Sequence, residues 1–406
     1  MIAAPSILFL AHRIPYPPDR GDKIRSWHLL KHLAGLARVH LACFADDAAD
    51  AAHLPALREA LDGRLGEAHV EVRRTGRAAA GLRALLQGRP VSLTLFDSAR
   101  LRAFVESRLD SGGIAAVFAF SGQMAQFVPE RAASRFVMDL GDVDSAKFAQ
   151  YADDARGPLR LIYRREAERL AAFERATAAR ADVTTFVSEA EAALFRGRTG
   201  LDTIRALSNG IDLDYFDPAA GFARLAATER GEGPILLFTG QMDYPPNVDA
   251  VRWFAREALP RIPGARFVVA GRNPAAAVRR LASPIVSVTG AVSDIRGWLA
   301  AADVVVAPLR LARGIQNKVL EAMAMAKPVV ATPAAFEGIE AEPGRDLIVA
   351  DGAEATAEAV RRLLERPDEA AALGRAARRR VADYGWEARL APLAGIVFPD
   401  ARRAAA

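Results

Sequence analysis

The sequence predicts an α/β protein with two doubly wound, parallel-sheet domains. The chain has 406 residues, of which 51% are hydrophobic, and this is enough for two separate cores. Short apolar runs rich in β-branched residues alternate with alanine-rich amphipathic stretches, a pattern typical of parallel strands covered by helices on both faces. The pattern pauses at residues 209–233, which are rich in Gly, Pro and Asp. We place the linker between the domains there.

The apolar runs predict the individual strands. Those of the first domain are predicted at 7–11, 39–44, 69–73, 115–120, 136–140, 183–187 and 204–207. Those of the second domain are predicted at 235–238, 267–270, 285–289, 304–307, 329–331 and 347–349. Residues 1–208 thus form an N-terminal domain and residues 209–385 a C-terminal domain. The last segment, 386–400, has the apolar spacing of a helix and could dock on either domain.

Composition and charge exclude several classes of protein. The net charge of +5 is mild for this length, and aromatic residues are not interleaved with basic ones, so no nucleic-acid partner is predicted. A single cysteine, Cys43, excludes an internal disulfide and favours a reducing cytoplasm. The N-terminus lacks the pattern of a signal peptide, and no apolar run reaches the roughly 18 residues of a membrane helix.

Residues 314–333, GIQNKVLEAMAMAKPVVATP, predict a turn, a helix and a buried strand. At a helix N-terminus the backbone amides and the helix dipole favour a bound anion. The residues that would present these amides are Gly314, Ile315, Gln316 and Asn317.

Lys318 and Glu321 are three residues apart and share one face of this helix. A cation beside a phosphate and a carboxylate within reach of sugar hydroxyls are what a nucleotide-sugar site needs. Only five of the 54 basic residues are lysines, and the compact charge of a lysine suits a phosphate. The alternative is a surface helix with one incidental Lys–Glu pair.

Two glycines and an asparagine follow other strands of the second domain. Gly240 ends the first of these strands, where a side chain would block the close approach of a phosphate. Asn247 begins the next helix after two prolines and is either a diphosphate contact or the helix N-cap. Gly290 ends a later strand, where it either approaches the base of a bound nucleotide or forms a plain turn.

In the first domain, a charged segment follows the first strand through a proline-rich turn. It consists of Arg20, Gly21, Asp22 and Lys23. Gly21 permits the backbone to approach the donor or the acceptor. The charged residues could instead mark a capped helix start.

Polar residues also follow the predicted strand at 136–140. Asp142 is the residue predicted to touch the reacting sugar or the acceptor hydroxyl, because carboxylates at the end of a parallel strand face the ligand crevice. Asp139 and Ser145 are predicted to lie at the same crevice, and Asp144 could cap the helix that begins at Ser145. The D-x-x-D-x-D spacing is weak evidence for a metal ion, so no metal site is predicted.

Residues 156–180 predict a strongly basic, partly amphipathic helix. Together with residues 82–86 and neighbouring arginines, it could make peripheral contact with an anionic membrane, which would suit a lipid-linked acceptor. The alternative is an ordinary solvated face with Glu–Arg pairs.

Further motifs occur in a fixed order along the chain. They are LSNGIDLDYFDP at 207–218, LLFTGQMDYPPNVDA at 236–250, FVVAGRNP at 267–274, VTGAVSDIRGWLAAADVVVAPL at 288–309 and YGWE at 384–387. With the 314–333 motif they resemble the GT-B-fold glycosyltransferases, specifically the large retaining group called family four. PYPPDRGDKIRSWHLL at 15–30 and VMDLGDVDSAKFAQYA at 137–152 resemble a subgroup, the sugar transferases associated with exosortase/PEP-CTERM exopolysaccharide systems.

The resemblance implies two Rossmann-like domains facing across a cleft. The C-terminal domain would hold a nucleotide-sugar donor, and the N-terminal domain a glycan or lipid-linked acceptor. The terminal helix would cross back to the first domain. Retention of the anomeric configuration is implied, with no cofactor and no required metal, so helix dipoles and cations must stabilise the phosphate leaving group.

The resemblance also assigns roles to single residues. Glu321 matches the second glutamate of the family's pair and would bind the donor ribose hydroxyls, while Lys318 would neutralise phosphate charge. The first glutamate of the pair would lie eight residues earlier, where this chain has Arg313. That departure puts the identity of the sugar and the activity itself in question. Arg313 could add a second cation or be a solvated loop residue.

The expected function is a cytoplasmic glycosyltransferase of exopolysaccharide or surface-glycan biosynthesis, with the inner face of the membrane as a further location. One alternative is a nucleotide-sugar epimerase of the same architecture, which would need carboxylate and histidine groups around the sugar. All six histidines lie at or before His69, far from the predicted donor domain. The other alternative is a catalytically silent nucleotide-binding protein, suggested by Arg313.

Overall fold

A computed structural model describes residues 5–73, 76–130, 133–312 and 315–399 of the chain. The chain divides into two compact units. The first unit is formed by Met1–Asn209 together with Arg389–Ala406, and the second unit by Gly210–Ala388.

The first unit is built on a seven-stranded, fully parallel sheet with the strand order β3-β2-β1-β4-β5-β6-β7. Its strands are β1 Ser6–Ala11, β2 Arg38–Ala45, β3 Leu65–Val72, β4 Ile114–Phe120, β5 Arg135–Gly141, β6 Val183–Phe186 and β7 Ile204–Ala206. All six residues of β1 are buried. This fits a central strand covered on both faces.

Helices connect these strands and cover the sheet. They are α1 Gly21–Leu36, α2 Ala48–Ala51, α3 Leu54–Ala60, α4 Arg77–Gln87, α5 Val91–Thr94, α6 Ala99–Asp110, α7 Asp144–Asp154, α8 Pro158–Arg180 and α9 Glu189–Thr199. A short 3-10 helix, Gly122–Phe127, follows β4. The core is packed by large apolar side chains, and the rings of Phe9 and Phe118 stack with centroids 5.6 Å apart.

The second unit repeats this plan with a six-stranded parallel sheet in the order β10-β9-β8-β11-β12-β13. Its strands are β8 Ile235–Thr239, β9 Arg266–Ala270, β10 Val286–Gly290, β11 Val304–Ala307, β12 Val329–Ala331 and β13 Ile348–Val349. Strands β8, β9 and β11 are almost entirely buried, as their β-branched and aromatic sequences require.

The helices of the second unit are mostly short. They are α10 Ala227–Arg230, α11 Pro245–Trp253, α12 Ala276–Arg279, α13 Ile295–Ala301, α14 Asn317–Ala324, α15 Pro333–Phe336, α16 Gly352–Glu365 and α17 Pro367–Val381. One π-helical turn, Phe254–Ala258, extends α11, and 3-10 turns lie at Leu259–Arg261 and Ala382–Tyr384.

The end of the chain contributes to the first unit. Helix α18, Trp386–Leu390, contains the boundary between the units, and α19, Leu393–Val397, belongs to the first unit. Leu393 and Val397 are buried there, and Arg135 Nε of β5 donates a hydrogen bond to the Ile396 carbonyl at 2.6 Å.

Every strand predicted from the sequence has a counterpart in the two sheets. The largest difference is β3, which begins at Leu65 rather than at residue 69. After Leu65 the strand continues with Gly66, Glu67 and Ala68, and at this edge of the sheet they do not form the apolar run that predicts a buried strand.

Candidate functional site

The carboxyl edge of the second sheet brings together several of the residues that the sequence predicted as a donor site. Strands β8 and β11 are neighbours at the point where the strand order reverses, and ligands of doubly wound sheets bind at such points. Helix α11 follows β8, and α14 follows β11. Asn247 of α11 and Lys318 of α14 therefore meet above the end of β8.

Three glycines form a continuous backbone edge at the ends of β8, β9 and β10. The amide of Gly240 donates to the Ala270 carbonyl, and that of Gly271 donates to the Gly290 carbonyl, both at 3.1 Å. A Cβ on Gly271 would lie 1.7 Å from the Gly240 oxygen, and one on Gly240 would lie 2.8 Å from Asn247 Nδ2. Glycine is therefore required for the strand ends to lie this close.

Asn247 is buried behind Gly240, and its side chain accepts a hydrogen bond from the ammonium group of Lys318. Its Nδ2 donates to the Gln241 carbonyl at 2.9 Å, and its Oδ1 accepts from Lys318 Nζ at 3.1 Å. Helix α11 begins at Pro245, after Tyr244. The N-cap alternative for Asn247 is therefore wrong, because the residue lies inside the first turn with its side chain directed to Gln241 and Lys318.

Lys318 is held by neutral groups. Besides Asn247, its Nζ donates to Gln316 Oε1 at 3.4 Å and lies 5.3 Å from the centre of the Phe238 ring, a cation–π distance. Burial lowers the pKa of Lys318 to about 8, an effect that the nearby charge of Glu321 partly opposes. An anion bound at Nζ would supply the charge that these neutral partners do not.

Glu321 lies one helical turn after Lys318 on α14. Burial raises the pKa of the Glu321 carboxyl to about 7, and the charge of Lys318 acts in the opposite direction. The opposite face of α14 is fixed in the core by buried residues that include Val319, Leu320 and Met323. A half-buried acid and a half-buried base are thus held on one side of a rigidly packed helix.

The N-terminus of α14 begins at Asn317, preceded by Gln316. Ile315, Gln316 and Asn317 are half-buried, and the side chain of Ile315 packs near Gly338. Arg313 and Gly314, predicted to complete this turn, lie outside the described residues.

Sequence reasoning missed two further residues of β8 at this site. Phe238 supplies the ring beneath Lys318 Nζ. Thr239, directly before Gly240, has a buried hydroxyl with no hydrogen-bond partner among the residues that the structure describes. Both lie in an apolar run that looks purely structural. Their position at the carboxyl end of β8, the first strand of the second unit, was the one sequence signal that could have identified them.

In the first unit, Arg20 and Asp22 belong to a charged network at the ends of β1 and β2. Asp22 Oδ2 accepts from Arg13 at 2.5 Å and lies 3.1 Å from His12 Nε2. Arg20 donates to Asp46 at 2.7 Å. Desolvation acts to raise the pKa of Asp22, but the hydrogen bond and charge of His12 and the charge of Arg13 hold it well below its usual range.

Gly21 and Lys23 occupy different environments next to this network. Gly21 begins α1 and is exposed, and a Cβ added there would meet nothing within 4 Å. Lys23 is buried and pairs with Asp50 at 2.5 Å, so its charge is used inside the unit. The structure does not bring Lys23 to an open surface.

The network includes His12, Arg13 and Asp46, which sequence reasoning did not single out. His12 and Asp46 directly follow strand ends and Arg13 follows His12, which is the signal that could have found them. Ser121, which directly follows β4, adopts a φ of 75°, a conformation that residues other than glycine seldom adopt.

Asp139 is fully buried and has a structural role. Its carboxylate accepts from Arg25 at 2.5 and 3.2 Å and from Thr185 Oγ1 at 2.8 Å. Arg25 also donates to Asn209 Oδ1 at 2.7 Å. These bonds join α1, β5 and β6, so Asp139 is not available at a ligand crevice.

Asp142 and Ser145, three residues apart, also differ in exposure. Asp142 follows β5 and is exposed, although protein atoms around its carboxyl partly remove its hydration and, with the charge of Glu191, raise its pKa. Ser145 is buried, and its hydroxyl donates to Glu174 at 2.5 Å. Helix α7 already begins at Asp144, which pairs with Lys147 at 2.6 Å.

Among the residues that the structure describes there is neither a metal-binding cluster nor a membrane-spanning helix. Within residues 5–73, 76–130, 133–312 and 315–399, no group of three or more His, Cys, Asp or Glu side chains could hold a metal ion. In the same ranges no helix is both long and apolar enough to span a membrane.

One family model matches part of the second unit. Residues 233–366 match the family model described as "Glycosyl transferases group 1", and this segment contains Gly240, Asn247, Lys318 and Glu321. No curated protein sequence matches the chain significantly.

Solved structures resemble the whole chain. Sucrose-phosphate synthase from Thermosynechococcus elongatus has a TM-score of 0.68 at 18% identity, with 99% of this chain and 100% of that chain covered. Anabaena HepE, solved with UDP and with UDP-glucose, has a TM-score of 0.62 at 16% identity, with 98% of this chain and 99% of that chain covered. Trehalose 6-phosphate synthase from Burkholderia multivorans has a TM-score of 0.61 at 12% identity, with 99% of this chain and 100% of that chain covered. The predicted fold class is confirmed: the two parallel-sheet units match GT-B glycosyltransferase structures.

Proposed function

We propose that the protein is a glycosyltransferase that moves a sugar, of hexosyl type, from a nucleotide-sugar donor to a glycan or lipid-linked acceptor with retention of the anomeric configuration. The reaction would take place in the cytoplasm, in exopolysaccharide or surface-glycan biosynthesis. The observation that carries the proposal is the arrangement of Lys318, Asn247 and Gly240 at the strand-order reversal, one helical turn from Glu321, inside the segment that matches the family.

This arrangement suits a nucleoside diphosphate. The backbone edge formed by Gly240, Gly271 and Gly290 allows a phosphate to approach without meeting a side chain. Lys318 and the N-terminus of α14 offer a charge and amide donors for it. Glu321, when ionised, is a strong acceptor for two ribose hydroxyls. UDP and UDP-glucose, which the Anabaena HepE structures contain, are the first ligands to test.

The charge of Lys318 gives the site a route to catalysis. Negative charge grows on the leaving phosphate as the bond to the anomeric carbon breaks, and a preorganised cation stabilises that charge more than it stabilises the ground state. No cofactor and no metal are part of the proposal. In retaining transfer the donor phosphate itself can take the proton of the acceptor hydroxyl.

We place the acceptor on the first unit. Asp142 is the proposed contact to the acceptor or the transferred sugar, because it is exposed at the end of β5. The charged network around Asp22 and Arg20, with Gly21 beside it, is the second candidate contact. Asp139, Ser145 and Lys23 are excluded from this role because their polar groups are consumed inside the unit.

The decisive experiment combines a binding screen with product analysis. The full chain is titrated with UDP, GDP, ADP and the corresponding nucleotide sugars by calorimetry, and bound donors are then incubated with glycan and lipid-linked acceptors. Transfer with a retained anomeric signal by NMR supports the proposal. Isomerisation of the donor without transfer would identify an epimerase. Binding without turnover across the acceptor panel would identify a silent nucleotide-binding protein.

A further inference from the structure

Three leucines on α4 of the first unit are directed outwards. Leu82, Leu85 and Leu86 are 64%, 62% and 80% exposed. Their spacing places all three on one side of the helix, while Ala80 and Ala84 face the core. Such a concentration of large apolar side chains is unusual on one exposed helix face.

The first turns of α8 carry a second exposed apolar group. Leu159, Leu161 and Ile162 are 47%, 70% and 56% exposed. Further along the same helix the apolar residues are used in the core, because Ala167 and Leu170 are buried. The outward-facing group is therefore confined to the start of α8.

Hydrogen bonds hold the end of α4 against α8. Arg165 donates to the carbonyls of Ala84 at 3.0 Å and of Arg89 at 3.3 Å. The buried carboxylate of Glu166 accepts from the Val91 and Ser92 amides at 2.8 and 2.9 Å. These contacts fix the chain after α4 to the side of α8.

The two apolar groups lie on helices that the hydrogen bonds of Arg165 connect. Leu161 and Ile162 lie four and three residues before Arg165, on the side of α8 that Arg165 shares, and Leu85 directly follows Ala84. We call the combined surface the two-helix face; its residues are Leu82, Leu85, Leu86, Leu159, Leu161 and Ile162.

Arginines dominate the charge around this face. Residues 79–92 and 156–169 contain seven arginines and two glutamates, and two of these arginines, Arg83 and Arg89, pair with Asp97. One of the glutamates, Glu166, is buried on backbone amides, and the other, Glu168, pairs with Arg164. Arg156, Arg160 and Arg169 are exposed. An apolar centre with a cationic margin is the composition that binds at an anionic lipid surface.

We infer that the two-helix face docks the protein on an anionic membrane, with the leucines entering the headgroup boundary and the arginines contacting lipid phosphates. Charge decides between this partner and a second copy of the chain, because self-association through this face would bring two arginine margins together. The inference does not depend on the proposed transferase activity, since the first unit carries the face and no donor or acceptor takes part in docking.

Vesicle co-sedimentation tests the inference directly. The full chain is mixed with vesicles of phosphatidylcholine alone or of phosphatidylcholine with phosphatidylglycerol, at low and high salt. We expect binding to the mixed vesicles that weakens with salt. The Leu85→Ser/Leu86→Ser/Ile162→Ser variant should bind them at least about tenfold more weakly. Leu194→Ser, which alters an exposed leucine on α9, should bind as the unchanged protein does.

A second pair of variants tests the charge. Arg156→Gln/Arg160→Gln should lower the apparent affinity for the mixed vesicles by about fivefold for each arginine removed, whereas Arg256→Gln, an exposed arginine of the second unit, should not. Equal binding to neutral and anionic vesicles, or no binding to either, would overturn the inference. A dimer in vesicle-free solution that the triple serine variant abolishes would assign the face to a second copy instead.

A fluorescence measurement removes any ambiguity from misfolded variants. The one cysteine, Cys43, is fully buried, so Leu86→Cys and Leu194→Cys can each be labelled at a single site with an environment-sensitive dye. Mixed vesicles should shift the emission of the label at position 86 to the blue and leave that at position 194 unchanged. Equal shifts at both positions would contradict docking through the two-helix face.

Discussion

Folding shifts the pKa values of two residues at the candidate donor site, Lys318 and Glu321. Folding raises the pKa of Glu321 from 4.5 to about 7, so the free energy of unfolding falls as the pH rises through that interval. Folding lowers the pKa of Lys318 from 10.5 to about 8, so the free energy of unfolding rises with pH between those values. Near neutral pH the fold therefore keeps Lys318 mostly charged and Glu321 partly charged, at a cost that the proposed nucleotide would offset.

The first prediction concerns the pH dependence of nucleotide binding. Ribose binding needs the ionised Glu321 carboxylate, and phosphate binding needs the protonated Lys318. Affinity for the nucleoside diphosphate should therefore rise as the pH passes about 7, and should fall above about 8. Calorimetry across this range measures it. At slightly alkaline pH, Glu321→Gln should lose roughly 1.5–3 kcal/mol of binding free energy.

The Glu321→Gln variant is also the control for this prediction. The phosphate of the ligand titrates as well, so only the difference between the unchanged protein and the variant reports the carboxylate. That difference should shrink as the pH falls below 7. A constant difference at all pH values would contradict the assignment of Glu321 to the ribose.

The second prediction separates binding from turnover at Lys318. Lys318→Ala removes a charge that is needed most when the phosphate bond to the sugar breaks, so it should lower kcat more than it raises the Kd for the donor. Initial rates and calorimetry with the same donor measure the two effects. Lys327→Ala is a poor control because Lys327 anchors the carbonyls of Ala300 and Ala302; Lys31→Ala, on α1, is the suitable one. Unchanged turnover in Lys318→Ala would remove Lys318 from the mechanism.

The third prediction concerns Asp142. Asp142→Asn keeps the shape of the side chain and removes its charge, so nucleotide binding by the second unit should be preserved. Transfer should fall at least about tenfold, the lower part of what a positioned polar group contributes. Asp153→Asn, an exposed aspartate further along the same segment, is the matched control. Equal rates for the two variants would remove Asp142 from the acceptor site.

At the scale of single elements, the glycine edge shapes the proposed donor site. The ends of β8, β9 and β10 approach so closely that the Gly240 carbonyl occupies the space of a side chain at position 271. The site is therefore a consequence of strand packing as much as of the residues that face the ligand.

The fourth prediction tests this edge. Gly271→Ala should force the ends of β8 and β9 apart, lower the free energy of unfolding by about 1–3 kcal/mol, and weaken nucleotide binding. Denaturant unfolding and calorimetry measure these two effects. Gly197→Ala, in α9, is the control, because nothing lies within 4 Å of its added Cβ and alanine favours a helix. Unchanged nucleotide affinity in Gly271→Ala would show that the edge is not part of the site.

The elements show why the sequence predicted some features and not others. Buried parallel strands such as β8 and β11 are uniform apolar runs, which a local pattern identifies. The partner of a buried charge is not local: Arg25 and Asp139 are 114 positions apart. Asp139 therefore looked like a crevice residue, because its position after an apolar run was visible and its pairing was not. Asn247 was ambiguous for the same reason, since only the structure reveals that its amide contacts Lys318.

At the scale of the whole molecule, the chain returns to the first unit after building the second. Helix α19 packs into the hydrophobic core of the first unit, where Leu393 is fully buried and Val397 is 2% exposed. The Ile396 carbonyl also accepts a hydrogen bond from Arg135 of β5. The stability of the first unit therefore depends on residues translated after the second unit.

The fifth prediction follows from this dependence. Leu393→Ala leaves a cavity between α19 and the first sheet and should cost about 2–5 kcal/mol of unfolding free energy. The loss should be confined to the first unit, because α19 belongs to it. Hydrogen–deuterium exchange followed by mass spectrometry should show faster exchange in β5 and α1 and unchanged exchange in β8 and β11. Nucleotide binding by the second unit should persist. Ala391→Ser, an exposed neighbour, should change neither measurement. Uniformly faster exchange in both sheets would mean that the two units unfold as one, and the donor site would then depend on the C-terminal helix for its stability as well.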